Sequence, residues 1–285
     1  MIELDLHCHT KYSRHGEGEV IDYVKSASQK KVKIFGLSEH FPLPEGFVDP
    51  WNDSAMLASS LIHYLNDIKE IKAKQEQGSC VPPNLILTGF EVDFIPEFKS
   101  GVKNNIEKID FDYRIGSVHF IKGWSFDFSD EYFRNGLKEK YNGNIKKLVG
   151  DYFYLIREML NSDFCEVVGH LDLIKKFNGE PFYLNESESY YRDGIREILK
   201  LIKKRDLVFE VNSAGFDERV KEQYPSEWII RECHDKKIPV TMGADAHKPS
   251  EVTEHFAEMR KMLKRVGYKN LAYFQKRKRM MAKIL

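Results

Sequence analysis

Short apolar segments alternate with longer helix-forming segments along most of the chain, and this alternation restricts the possible folds more than any other feature. Seven runs rich in β-branched and large apolar residues predict strands, at residues 2–6, 32–37, 84–90, 113–118, 165–168, 207–211 and 238–242. Segments with helical periodicity lie between or after them, at 20–29, 54–77, 144–161, 189–205, 227–236 and 251–266. Strands that alternate with helices predict βαβ units and a parallel sheet. The expected fold class is therefore α/β.

The polar residues that directly follow these strands favour a closed, distorted barrel over an open, doubly wound sheet. In a barrel of parallel strands the carboxyl ends of all strands meet at one rim, where residues distant in sequence come together. Two stretches without clear periodicity, 41–53 and 122–143, follow strands on that side and are expected to form a lid or a substrate wall. A chain of 285 residues fits one such barrel, so we expect residues 1–285 to form a single domain.

The charge of the chain indicates what kind of partner it has. Lys plus Arg (44) balance Asp plus Glu (44), which gives no broad attraction for nucleic acid or for an anionic membrane. A small-molecule partner is therefore favoured. The cluster KRKR at 276–279, after a stretch expected to be helical, is interpreted as a solvated surface, and nucleic-acid contact there is the less favoured alternative.

Cysteine spacing and the N-terminus suggest a cytoplasmic protein. Cys8, Cys80, Cys165 and Cys233 form no C-x-x-C pair, which favours reduced thiols over a disulfide framework. No apolar run approaches the roughly 18 residues that a membrane span requires. The first five residues include Glu3 and Asp5, unlike the basic start of a signal peptide. The sequence leaves the oligomeric state open.

Seven of the ten histidines follow predicted strands closely, together with one Glu and one Asp. In DLHCHT, His7 and His9 are two residues apart, so on an extended strand both imidazoles point to one side and can share a metal ion. The other members of this set are His15, His40 in LSEH, Glu91 in TGFEVD, His119 in GSVH, His170 in VVGH, and Asp245 and His247 in GADAH. The remaining histidines, His63, His234 and His255, fall in predicted helices and are expected to be solvated or packed.

Nine nitrogen and oxygen ligands exceed what one zinc ion takes, because zinc is usually four-coordinate. Two or three divalent transition-metal ions are therefore expected. A mixture of imidazole and carboxylate without thiolate suits Zn, Mn or Fe and does not choose among them.

These motifs together resemble the PHP (polymerase and histidinol phosphatase) superfamily, over residues 5–247. DLHCHT resembles its first motif and LSEH its second, while GSVH, GH and GADAH resemble the later ones. Within the superfamily, three stretches are similar to the histidinol-phosphate phosphatases: SVHFIKGWSFDF at 117–128, GHLDLIKKF at 169–177 and EVNSAG at 210–215. The resemblance implies a distorted (β/α)7 barrel with a trinuclear metal site at the C-terminal rim of the strands.

The resemblance also implies a distribution of the ligands over three metals. The first ion would be held by His7, His9, Glu91 and Asp245; the second by Glu91 as a bridge with His119 and His170; the third by His15, His40 and His247, with His15 the least secure match. The architecture fits hydrolysis of a phosphomonoester by attack of a metal-bridging hydroxide. Asp245, Glu91 and His247 are the candidate catalytic residues. Asp245 either shuttles a proton or acts as a ligand alone.

Candidate substrate contacts come from the same rim. Arg14, Lys122 and Arg157 could meet phosphate charge, although for each of them a solvated surface cation is the favoured interpretation. Trp124, Phe126 and Phe128 alternate after His119 and could stack on an imidazole, or could pack the lid. Asp127 could accept a hydrogen bond from a substrate ammonium group.

The function that these inferences imply is hydrolysis of L-histidinol phosphate to L-histidinol and phosphate in histidine biosynthesis. Two alternatives remain open at this stage. One is a phosphoesterase of the same superfamily that acts on another small phosphate or on a nucleic acid end. The other is a metal-binding module of the superfamily without catalysis.

Overall fold

The structure is a computed structural model, and it describes residues 3–77 and 85–284. Two kinds of strand occur in this part of the chain: strands of a large parallel sheet and strands of two short hairpins. The strands are β1 (Glu3–Asp5), β2 (Val32–Leu37), β3 (Leu85–Asp93), β4 (Tyr113–Ser117), β5 (Phe120–Ile121), β6 (Trp124–Ser125), β7 (Val167–Val168), β8 (Val208–Asn212), β9 (Val240–Gly243), β10 (Asn270–Gln275) and β11 (Lys278–Lys283). The α-helices are α1 (Val20–Gln29), α2 (Leu61–Glu76), α3 (Lys99–Ile106), α4 (Asp130–Tyr141), α5 (Ile145–Asn161), α6 (Ser189–Lys204), α7 (Glu227–Asp235) and α8 (Phe256–Val266).

Seven parallel strands form the central sheet in the order β1-β2-β3-β4-β7-β8-β9. The first and last strands close this sheet into a barrel, because the Leu6 N–H donates to the Met242 carbonyl at 3.1 Å and the His9 N–H donates to the Ala246 carbonyl at 2.8 Å. The prediction of an α/β barrel with seven strands is confirmed. Ile2 and Asn84, where two of the strands were expected to begin, lie outside the described residues, as does Cys80.

Burial on both faces explains why these segments are strands of a barrel. Every residue of β4, β8 and β9 is buried, as expected for parallel strands covered by helices outside and packed inside. Tyr113 of β4 crosses the barrel interior and donates its hydroxyl to the Leu6 carbonyl at 2.6 Å. Gly36 and Gly89 make this crossing possible, because a Cβ atom at either position would lie within 2.4 Å of the Tyr113 side chain.

The helices differ from the sequence prediction in four places, one of which is α8, because it begins at Phe256 rather than near residue 251. Helices α3 and α4 were not predicted, and α4 lies within the stretch 122–143 that was expected to be irregular. The signal that was overlooked is a helix start, because the Ser129 hydroxyl accepts a hydrogen bond from the Tyr132 N–H and acidic residues fill the first turn. Helix α2 begins at Leu61 rather than near residue 54. The stretch 41–53 is irregular, as predicted.

The C-terminal segment is a β-hairpin and not the expected helical stretch. β10 and β11 pair antiparallel around Lys276 and Arg277, whose φ angles of 49° and 64° suit a tight hairpin turn. Arg277 and Arg279 do not form a free basic surface, because Arg277 pairs with Glu107 and Glu166, and Arg279 pairs with Asp206. Among the described residues, no helix is long and apolar enough to cross a bilayer.

Candidate metal centre

All nine predicted ligands meet at the carboxyl ends of the barrel strands. Each is carried by the last residues of a strand or by the loop that follows it, so the barrel geometry and not any local motif brings them together. The side chains come from β1 and its loop (His7, His9, His15), β2 (His40), β3 (Glu91), β4 (His119), β7 (His170) and β9 (Asp245, His247). His63 lies on α2 and His234 on α7, away from this rim.

Glu91 is the centre of the cluster and is almost fully buried. Its Oε2 atom lies 3.4 Å from His7 Nε2, 3.4 Å from His9 Nε2 and 3.1 Å from His40 Nδ1. Its Oε1 atom lies 2.9 Å from His170 Nε2 and 3.6 Å from His119 Nε2. One carboxylate therefore faces five imidazole rings, an arrangement typical of a ligand that bridges two metal ions.

Asp245 forms a second carboxylate contact with the histidines of β1. Its Oδ1 atom lies 3.0 Å from His9 Nε2 and 3.5 Å from His7 Nε2. The backbone at Asp245 has a positive φ of 57°, which turns the chain sharply after β9 and directs the side chain toward the rim. The Asp245 side chain therefore lies at the junction where the last strand of the barrel, β9, meets the first strand, β1.

Two pairs of histidines place their ε nitrogens against each other. His15 Nε2 lies 3.0 Å from His247 Nε2, and His119 Nε2 lies 3.2 Å from His170 Nε2. At least one nitrogen of each pair has to present a lone pair at such a distance. Facing ring nitrogens are what two ligands of one metal ion present to each other.

The hydrogen bonds behind the rings fix which nitrogen faces the centre. Nδ1 of His7 lies 2.6 Å from Glu210 Oε1, Nδ1 of His119 lies 2.8 Å from Asp93 Oδ1, and Nδ1 of His15 lies 2.8 Å from the Asp53 carbonyl. An acceptor at Nδ1 keeps the proton there and leaves Nε2 as a lone-pair donor, as in metal sites with outer carboxylates. Within the described chain, His7 Nε2, His9 Nε2 and His40 Nδ1 are buried without a hydrogen-bond partner. The donor set therefore fits divalent transition metals.

Burial and neighbouring charges shift the pKa values of the groups in this centre in different directions. Burial opposes the ionisation of Glu91 and Asp245, but the charge of His7 and its neighbours holds the pKa of both carboxyls well below the ordinary range. Burial also opposes charging of His9 and His119, yet nearby carboxylates raise the pKa of His9 to about 9 and that of His119 to about 10. Burial and the charge of His9 lower the pKa of His247 to about 3.

A cavity of about 300 Å³ opens beside the cluster. The metal-ligating candidates form one wall, and aromatic and charged side chains form the others. Trp51 and Phe128 stack with ring centroids 3.6 Å apart and an interplanar angle of 11°. Asp53, Asp127, Lys176, Glu218 and Tyr224 also line the cavity. Among the described residues, Lys176 is the only Lys or Arg that does so, and it lies 3.4 Å from Glu218.

The predicted substrate contacts are only partly brought to this cavity. Asp127 and Phe128 line it. Trp124 is buried and packs against Phe126 and Phe133, so it belongs to the core. This corrects the expectation that Trp124 contacts the substrate.

The three predicted phosphate-binding cations do not line the cavity either. Lys122 lies in the β5–β6 turn and pairs with Asp151 at 2.6 Å. Arg157 is on α5 beside α6, with its guanidinium 3.9 Å from Glu197. Arg14 is exposed and donates to the Ala55 carbonyl at 3.3 Å. A turn, an outer helix and a left-handed residue direct these side chains away from the cavity.

Sequence reasoning missed residues that support or line the site. Glu39, Asp93 and Glu210 lie behind histidines, Asn212 donates to Asp245, and Trp51 and Lys176 line the cavity. Five of these six residues sit within motifs that were noticed for another reason: Glu39 in LSEH, Asp93 in TGFEVD, Glu210 and Asn212 in EVNSAG, and Lys176 in GHLDLIKKF. For Glu39 and Asp93, a carboxylate one or two residues from a ligand at a strand end was the available signal.

Residues 5–214 match the PHP domain family. A "Probable histidinol-phosphatase" of Deinococcus radiodurans is 30% identical over 272 residues, covering 94% of this chain and 95% of that protein. A "Histidinol-phosphatase" of Bacillus subtilis is 29% identical over 265 residues, covering 88% and 96%. The crystal structure of histidinol phosphate phosphatase from Lactococcus lactis subsp. lactis, complexed with zinc, L-histidinol and phosphate, superposes with a TM-score of 0.77 at 21% identity, covering 98% of each chain. The chain belongs to the PHP domain family.

Proposed function

We propose that this protein is a metal-dependent phosphomonoesterase that hydrolyses L-histidinol phosphate to L-histidinol and phosphate. The observation that carries the proposal is the convergence of seven histidines and two carboxylates on one rim, beside a cavity of about 300 Å³. The relatives named histidinol-phosphatase, similar over nearly the whole chain, support the choice of substrate. We also propose that residues 1–285 form one domain, which the continuous core from Leu4 to Ile284 supports.

We propose that three sets of side chains hold two or three divalent ions, with Zn, Mn and Fe as candidates. The sets are His7, His9, Glu91 and Asp245; Glu91, His119 and His170; and His15, His40 and His247. His9 also lies close to His40 and His247, so the first and third sets are adjacent. Divalent ions at these positions would supply Lewis-acid charge to the phosphoryl group and lower the pKa of a bound water.

The other charged residues of the cavity would orient the substrate. Lys176 carries the positive charge that a phosphate needs beyond the metals. Asp127 forms no hydrogen bond or ion pair with any other described residue and is available to a substrate ammonium group. The Trp51 and Phe128 rings offer an apolar surface to an imidazole. Asp245, next to His9, is placed to accept a proton during hydrolysis.

The charge of the cavity favours a small substrate over a nucleic acid. A polyanion would need a groove lined with cations. Besides the candidate ligands, four carboxylates accompany a single lysine on the walls of the cavity, namely Asp53, Asp93, Asp127 and Glu218. These walls suit a substrate that carries one phosphate and at least one cationic group.

The experiment that tests the proposal compares kcat/KM for four substrates with the metal-loaded enzyme. They are L-histidinol phosphate, p-nitrophenyl phosphate, a nucleoside monophosphate and a short single-stranded DNA. We expect histidinol phosphate to exceed the generic ester by orders of magnitude, because contacts to the non-reacting imidazole and ammonium groups are expressed in the transition state. Equal or faster turnover of the nucleotide or the DNA would overturn the assignment of L-histidinol phosphate as the substrate.

Elemental analysis of the gently purified protein separates an enzyme from a non-catalytic module. We expect more than one tightly bound transition metal per chain. One ion or none, together with no turnover of any aryl phosphate, would support the non-catalytic alternative.

A further inference from the structure

Glu210 is a buried carboxylate that contacts two of the candidate metal ligands without lining the cavity. It lies on β8 and is fully buried. Its Oε1 atom is 2.6 Å from His7 Nδ1, and its Oε2 atom accepts from the His170 backbone N–H at 3.0 Å. His7 belongs to the first ligand set and His170 to the second. One side chain on β8 therefore fixes ligands carried by β1 and β7.

Asn212 extends these contacts to a third ligand. Its side-chain amide donates both to Glu210 Oε2 at 3.1 Å and to Asp245 Oδ2 at 3.2 Å. Its own carbonyl oxygen accepts from the Ala214 N–H at 2.9 Å, which sets the orientation of the amide. Because residues 210 and 212 are two apart on a strand, their side chains point to the same side of β8. The pair connects the first, fifth and seventh strands of the barrel.

The neighbouring strand is built around this pair. A Cβ atom on Gly243 of β9 would lie 2.2 Å from Glu210 Oε1 and 2.5 Å from the Cβ of His7. Gly243 is the first residue of GADAH, so the absence of a side chain there leaves room for the contact between Glu210 and His7.

We propose that Glu210 and Asn212 are positioning residues that hold His7, His170 and Asp245 in the geometry that binds the metal ions. This inference rests on the metal site in the proposed function. Glu210 accepts hydrogen bonds from three donors and makes no contact with the cavity, so it acts through the ligands. With Nδ1 of His7 held by Glu210, the lone pair of Nε2 points toward Glu91 and Asp245.

Glu210→Gln tests the proposal because it keeps the shape and removes the acceptor character of one oxygen. In either orientation the new NH2 group faces a donor, which is His7 Nδ1–H on one side or the His170 N–H and the Asn212 amide on the other. We expect the apparent metal affinity, measured by chelator competition, to fall about 10- to 100-fold. The bound metal per chain after gel filtration should fall with it.

Asp112→Asn is the matched control. Asp112 precedes β4 at the opposite end of the barrel, and its carboxylate accepts from the Thr88 and Lys276 backbone N–H groups, each at 2.9 Å. This control should lower the midpoint of thermal unfolding of the metal-free protein and leave metal affinity unchanged. A merely structural Glu210 would behave in the same way as Asp112, and that result would overturn the proposal.

Asn212→Ala serves if Glu210→Gln does not fold. It removes the amide between Glu210 and Asp245 together with the acceptor of the Ala214 N–H, and we expect a several-fold loss of metal affinity. Unchanged affinity in this folded variant would also overturn the proposal. If the parent protein binds no metal, the proposed function fails as well. If the parent binds metal normally and the variants match it, the positioning role alone fails.

Discussion

Metal binding to the metal-free protein should release protons, because three of the candidate ligands are cationic when no metal is present. Burial opposes the charging of His7, but Asp245, Glu210 and Glu91 hold its pKa well above the ordinary value. The pKa of His9 is raised to about 9 and that of His119 to about 10, with Asp245 and Glu39 close to His9, and Asp93 and Glu91 close to His119. At pH 7.5 all three imidazoles are therefore cationic and form ion pairs with the carboxylates. A metal ion can be ligated only by a neutral imidazole.

The size of the effect follows from two displaced protons at the first ligand set and one at the second. His7 and His9 belong to the first set and His119 to the second. Below a ligand's pKa, each displaced proton changes the apparent affinity about tenfold per pH unit. Lowering the pH from 8 to 6 should therefore weaken metal binding at the second set about 100-fold, or about 2.7 kcal/mol, and metal binding at the first set by about the square of that factor.

The same pKa shifts predict the opposite pH dependence for the fold without metal. The folded-state pKa values of His7, His9 and His119 lie above the ordinary value of 6.5, so protonation stabilises the metal-free fold. That stabilisation is complete below about pH 6.5, and the contributions of His9 and His119 are lost as the pH rises through about 9 and about 10. The metal-free protein should thus unfold at lower denaturant concentration at pH 9.5 than at pH 6.5, whereas metal loading is favoured at the higher pH.

Titration calorimetry in two buffers of different ionisation enthalpy measures the released protons directly. At pH 7.5 we expect the difference in measured enthalpy to correspond to about three protons released when both ligand sets are filled. Metal affinity that is constant between pH 6 and 8, with no proton release, would refute the reasoning. That result would mean that His7, His9 and His119 are neutral in the metal-free protein.

Three further predictions concern turnover, selectivity and stability. Glu91→Ala or His119→Ala should reduce kcat by at least about 100-fold, since each removes a group at the centre of the site, whereas His63→Ala on the exposed side of α2 should keep the parent's activity in the same steady-state assay. The reverse pattern would contradict our placement of the site. Asp127→Asn should lower kcat/KM for L-histidinol phosphate about tenfold or more and leave kcat/KM for p-nitrophenyl phosphate within about twofold. The reason is that only the first substrate carries an ammonium group. Equal losses for both substrates would exclude a specific contact between Asp127 and the ammonium group. Arg114→Met should reduce the free energy of unfolding, measured in urea, by about 3 kcal/mol, because its buried guanidinium pairs with Glu166 at 2.8 Å. The control Lys122→Met removes an exposed ion pair and should cost less than about 1 kcal/mol. Similar costs for the two variants would contradict the assigned burial of Arg114.

The convergence of the candidate metal ligands could be predicted from sequence because strand geometry is regular. His7 and His9 are two apart, and a strand directs both to one side whatever surrounds it. The other ligands follow apolar runs, and a parallel barrel brings all such positions to one rim. The prediction therefore needed only the strands and the closure of the sheet.

The residues that line the cavity could not be predicted in the same way, because they depend on the shape of loops. Lys122 and Gly123 form the turn of the β5–β6 hairpin with φ angles of 53° and 75°, and this turn directs Lys122 away from the cavity. The alternation of side chains along an extended chain correctly predicted that Trp124 and Phe126 lie on the same side. It did not indicate that this side faces the core. Trp51 reaches Phe128 from a loop far away in sequence, which no local pattern indicates.

The seam between β1 and β9 has a consequence for how the protein is made. The Asp245 N–H donates to the His7 carbonyl at 2.9 Å, so the first ligand set spans the junction between the start of the chain and residue 245. On the ribosome, His7 and His9 emerge early but cannot complete this set until GADAH has left the exit tunnel. A metal ion bound there joins the two ends of the sheet, and its binding energy acts on the contact that closes the barrel. The seam between β1 and β9 should therefore open more easily in the metal-free protein than in the metal-bound one.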